Sequence, residues 1–96
     1  MTEKIELKHP EGKKAVSMDV EKYFILKSAI IECLKFKTEL THKELKQSVK
    51  DYLSDNNKRI EGSVPWHLEW VKLDLEAKKE IKRTDTKSGI KYILWK

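Results

Sequence analysis

Histidines stand at positions 9, 42 and 67, and the single cysteine is Cys33. A transition-metal site needs His, Cys or carboxylate ligands at short repeated spacing, such as two ligands four residues apart on a helix. None of the three histidines has that spacing, so neither a metal nor any other cofactor is expected. Cys33 falls beside Ile30, Leu34 and Tyr23 on an apolar helical stripe, which reads as an inert buried thiol rather than a redox sensor. Glu69, Asp74 and Glu76 are the one cluster of carboxylates that resembles an acid–base pair. No nucleophile, base or pocket-forming glycine surrounds them, and a charged helix flank accounts for them. Glycines occur only at 12, 62 and 89, too sparse for a phosphate-cradling loop. The residues therefore predict no enzyme, no catalytic group and no small-molecule substrate.

Positive charge is the chemistry that remains. The chain has a formal net charge of +5, and its distribution is uneven. Residues 81–96 hold five cations (Lys82, Arg83, Lys87, Lys91 and Lys96) against Asp85 alone, a net +4, while the preceding 80 residues are close to neutral. Basic residues interleaved with aromatics along a hairpin can follow a phosphate backbone or enter a minor groove. The competing account is a charged sheet edge that discourages strand association. Lys58 and Arg59, in a polar loop, would add two phosphate contacts or simply solvate that loop.

The elements that must position these groups follow from composition and pattern. Ninety-six residues leave room for one core, so residues 1–96 are read as a single domain. Charged and hydrophobic residues each make up 39% of the chain, and three Trp, three Tyr and two Phe argue for a folded domain. The longest uncharged run is 62–68, seven residues, too short for a membrane span or a signal core; a cytoplasmic location is expected.

Ile5 and Leu7 alternate with charges, as in a short half-buried strand, so 1–16 is read as strand and loop. Residues 17–36 repeat apolar positions at helical spacing, with Ser17 or Asp19 as the cap. Thr41 and Glu44 have capping-box spacing and open a helix over 41–54. Ser63, with Pro65 in the first turn, opens a third helix over 63–79. Residues 80–95 make two strand-like runs around a Gly89 turn. Three helices followed by a hairpin give an α+β class with the order of a winged helix-turn-helix: the third helix is the recognition candidate and the hairpin the wing.

Trp66 early in the third helix, the run 71–76 (VKLDLE) and the stretch 88–92 (SGIKY) are the most specific text in the chain. On these residues the sequence resembles a family of small stand-alone bacterial winged-helix proteins of unknown function. More distantly, it is similar to the N-terminal domain of Mrr-type restriction endonucleases. The resemblance spans 5–94 and implies a winged-helix fold, with no catalytic residue to carry over. One departure is that Ala77, Lys78, Lys79 and Glu80 stand where many winged helices place a glycine before the wing.

At 100° per residue the third helix is apolar on two sides. Val64, Leu68, Val71 and Leu75 fall within about 60°, and Trp66, Trp70, Leu73 and Ala77 fall in a similar arc roughly opposite. Glu69, Lys72, Glu76 and Lys79 lie on one flank, and His67, Asp74 and Lys78 on the other. A DNA-reading helix offers Arg, Lys, Asn or Gln outward; indoles flanked by carboxylates argue against insertion into a major groove. Burying a Trp or Leu is worth about 1.5–3 kcal/mol, so something should cover the second face. The N-terminal strand or Ile93 and Trp95 of the wing, a second copy in a homodimer, and a partner stacking on the indoles are the alternatives.

Two functions follow from the sequence. The first is weak or accessory binding of double-stranded DNA through phosphates, using Lys82, Arg83, Lys87, Lys91, Lys58 and Arg59. The second is a protein-interaction or homodimerisation module that uses Trp66, Trp70 and Leu73.

Overall fold

The computed structural model describes residues 3–58, 63–87 and 89–95. Ile5, between Lys4 and Glu6, lies in strand β1 (Lys4–Glu6), which pairs antiparallel with β2 (Ser17–Asp19) in the register Lys4–Asp19, Ile5–Met18 and Glu6–Ser17. Here the structure corrects the expected start of the first helix. Ser17 is held in β2, and α1 (Val20–Lys37) begins three residues later, its cap supplied by Asp19, whose carboxylate accepts from Glu21 N at 2.9 Å. The side chains of Tyr23, Leu26, Ala29, Ile30, Cys33 and Leu34 bury the stripe that the spacing marked.

Strand β3 (Glu39–Thr41) leads into α2 (His42–Asp55). Thr41 closes the capping box: its hydroxyl accepts from Glu44 N at 3.2 Å, and the Glu44 carboxylate accepts from Thr41 N at 2.9 Å. Leu45, Val49 and Leu53 face inward. Helix α3 (Val64–Ala77) starts on Ser63, which accepts from Trp66 N at 3.3 Å, and buries Leu68, Val71 and Leu75.

Two helices close by the same device. After α3, Lys79 takes φ +61°, and Lys79 N and Glu80 N bond back to Glu76 O at 3.1 Å and Leu75 O at 2.9 Å. After α2, Asn57 takes φ +53°, and Asn57 N and Lys58 N bond back to Ser54 O at 3.2 Å and Leu53 O at 2.8 Å. This paired pattern is the Schellman motif, with its left-handed residue usually glycine. A lysine therefore makes the turn where the sequence has no glycine.

Strands β4 (Ile81–Thr86) and β5 (Gly89–Leu94) form the hairpin, and β3 joins it, giving a three-stranded antiparallel sheet in the order β3-β5-β4. Gly89 sits at φ +116°, a conformation a side chain resists. The layout is α+β: three helices, a C-terminal hairpin and a short N-terminal strand. Ile81 and Tyr92 turn one face of the sheet into a core shared with all three helices.

Candidate functional site

The polar residues of the 71–76 run are committed within the fold. Asp74 is 0% exposed and Lys72 is 2% exposed, so two residues expected on charged flanks are buried. The Asp74 carboxylate accepts from Tyr23 Oη of α1 at 2.5 Å, from Lys8 N at 2.8 Å and from Lys78 Nζ at 3.0 Å. Lys78 Nζ also donates to Tyr23 Oη at 3.1 Å. Burial, together with the Asp74 hydrogen bond, pushes the Tyr23 phenol up to about 12, so it remains a donor well past its ordinary range.

Lys72 anchors the other flank. Its Nζ lies 2.9 Å from His42 Nδ1 and 3.0 Å from Glu69 Oε2, and stands over the Tyr92 ring at 4.5 Å. An ammonium group only donates, so this geometry requires a neutral His42 ring with Nδ1 as acceptor. Burial and the nearby Lys72 charge both hold the His42 pKa below its ordinary value of 6.5.

Glu76 completes the set with two contacts to Arg83, at 3.2 Å to Nε and 3.5 Å to a terminal nitrogen. These three polar networks explain why a recognition-like helix carries K, D and E at this spacing. None of the three side chains is offered outward to bases.

The hairpin cations do not form one basic edge either. Side chains alternate across a strand, and the register pairs Arg83 with Tyr92 on the inward face but Lys82 with Ile93 and Thr84 with Lys91 on the other. Arg83 is bridged to Glu76, and Lys91 Nζ to Glu39 Oε1 at 3.0 Å. Lys82 stands over the Trp95 ring at 5.5 Å. Lys87 is exposed at the hairpin turn, and Lys58 is exposed beyond α2. Arg59 lies outside the described residues. The net +4 of the linear segment is thus partly neutralised in space.

The second apolar face of α3 is partly covered from within the chain. Leu7 is buried and Lys8 is tied to Asp74, which brings the loop after β1 alongside α3. Trp70 is half-buried against the core, and Leu73 is half-buried on the floor of a groove of about 610 Å³. His9 and Pro10 line the groove on the loop side, Ile81 and Trp95 on the hairpin side. Trp66 remains 48% exposed, with its ring 4.9 Å from His67 and 6.4 Å from Trp70, both edge-on. Leu73 and Trp95 thus face the same groove without closing it, and Trp66 lies on the surface.

Among the described residues no group of three or more His, Cys, Asp or Glu could hold a metal ion. Burial, then the charges of Asp51 and Glu32, raise the Cys33 thiol pKa, which keeps it an unreactive thiol. No helix among the described residues is long and apolar enough to cross a membrane.

No curated protein and no solved structure matches the chain. A protein-family model described as a family of unknown function (DUF6958) matches residues 4–91, nearly the whole chain and all three polar networks of α3, and the chain belongs to that family.

Proposed function

We propose that the chain is a non-enzymatic, cytoplasmic protein-interaction module of winged-helix type whose contact surface is the outward side of α3. The observation that carries this reading is Trp66: an indole 48% exposed on a helix whose charged residues are taken up in internal pairs. Exposed aromatics are enriched where proteins meet, because they bring large apolar area at low entropic cost. Recession of Leu73 between the loop and the hairpin argues in the same direction, since a helix that reads a major groove must project.

Phosphate binding is the second reading. It is favoured by Lys82 and Lys87, which have no carboxylate partner among the described residues, in contrast to Arg83 and Lys91.

Sedimentation velocity over a concentration series, run beside titration of duplex DNA at low salt, separates the two. Trp66→Ala removes a surface side chain and is expected to keep the fold. Association that is lost in Trp66→Ala supports the interaction reading. Duplex binding that falls steeply with salt, weakens in Lys82→Glu and Lys87→Glu and survives Trp66→Ala overturns it.

A further inference from the structure

Strand β4 is the outer member of its sheet, so one side of its backbone has no strand beside it among the described residues. The ladder shows which groups are left over. Trp95 N donates to Glu80 O at 3.0 Å, and the register then opposes Lys82 to Ile93, Thr84 to Lys91 and Thr86 to Gly89. Hydrogen-bonded pairs alternate along an antiparallel ladder. Lys82, Thr84 and Thr86 therefore bond to β5, while Ile81, Arg83 and Asp85 turn their N–H and C=O groups outward.

That edge borders the groove between Leu73 and Trp95. The carboxylates along the groove are already answered: Glu69 by Lys72, Glu76 by Arg83 and Glu11 by Lys13. Two ammonium groups at its end are not. Lys82 and Lys79 lie 5.5 and 6.0 Å from the centre of the Trp95 ring, and neither has a carboxylate partner among the described residues. Around the half-exposed Trp95 indole the spare charge is positive; Asp85, farther along β4, is exposed and has no cation partner among the described residues.

We propose that β4 accepts an extended segment of another protein as an added strand, with alternating apolar and acidic side chains. Side chains of a strand point to opposite faces in turn. One set would pack on Leu73 in the groove, and the other would set carboxylates between Lys79 and Lys82 over Trp95. Main-chain bonds to an open edge give affinity in such complexes, and pockets for alternate side chains give selectivity. This rests on the reading of the chain as an interaction module and names the kind of partner.

The test is a ¹⁵N-NMR titration of the full chain with a capped hexapeptide of alternating leucine and glutamate, beside its leucine–lysine counterpart. Expected are shifts at the Ile81, Arg83 and Asp85 amides and the Trp95 indole with the acidic peptide only. Asp85→Pro deletes an outward N–H that β5 does not use, a placement proline tolerates on edge strands. It should weaken the acidic peptide about tenfold, with the fold checked by circular dichroism. Lys82→Glu should reverse the preference towards the basic peptide, since like charges in contact repel. Equal binding of both peptides, or no shift along β4 with either, overturns the edge proposal. If Trp66-dependent association persists in that case, the wider reading stands; if it too is absent, both fall. A single-stranded oligonucleotide that displaces the acidic peptide from Trp95 also overturns the proposal, in favour of base stacking.

Discussion

Asp74 receives hydrogen bonds from the β1 loop, from α1 and from its own helix, all onto one fully buried carboxylate. Removing it strands the Lys8 N–H and the Tyr23 hydroxyl and leaves Lys78 without its counter-ion. Asp74→Ala should therefore cost about 3 kcal/mol in chemical denaturation, against about 1 kcal/mol for Tyr23→Phe, which deletes a single donor. The phenol also ties stability to alkaline pH. Unfolded Tyr23 loses its proton near 10 and folded Tyr23 near 12, so stability is complete below 10 and falls as pH rises between them. Tyr23→Phe should remove that alkaline loss. His42 acts in the opposite direction. Its folded pKa lies below 6.5, so the unfolded chain takes up the proton first, and stability present above 6.5 declines as pH falls through and below it. His42→Asn offers Lys72 an uncharged acceptor, and denaturation at pH 8 and 5.5 should show a smaller acid loss than in the wild type.

At the scale of elements, what was legible depended on how local the cause was. The Thr41–Glu44 box, the Ser63 cap and the apolar stripes of α1 and α2 are set by neighbours within a turn, and spacing was enough to find them. Pairing of 17–19 with β1 is long-range, and a helical reading absorbed those residues. The same limit hid the site. Lys72 and Asp74 fall only about 40° and 60° from Leu68 and Val71 on the wheel, a placement that signals burial. Their partners His42, Tyr23 and Lys8 lie 30 to 66 residues away and gave no cue. The hairpin charge is distributed differently in space for another reason: a count along the chain ignores which face each residue takes. The helix ends carry a prediction of their own. A left-handed backbone costs an L-residue about 1–2 kcal/mol, part of which glycine returns as chain entropy. Lys79→Gly should then raise stability by roughly 0.5–1 kcal/mol, read as an increase in Tm.

Over the whole molecule, two small sheets flank the helices, and α3 is held from both sides. The N-terminal pair reaches it through Lys8, and the hairpin reaches it through Arg83. The groove over Leu73 exists because these two attachments stand apart, so its width is a property of the assembled fold rather than of any one segment. The excess charge of the chain behaves in the same way. Of the cations without a carboxylate partner among the described residues, Lys79 and Lys82 stand around Trp95 and Lys87 at the hairpin turn, whereas Lys43, Lys46 and Lys50 lie on α2 and none lies within α3. The charge around Trp95 is what the proposed acidic strand requires.

The link between Lys8 and Asp74 has a consequence for how the family can drift. The donor is a peptide N–H, not a side chain, so nineteen of the twenty amino acids can keep the bond at position 8. Only proline, which lacks that hydrogen, would release the loop from α3. Position 8 can therefore change charge and size freely over generations while the wall it belongs to stays in place, whereas its acceptor at position 74 has no such licence.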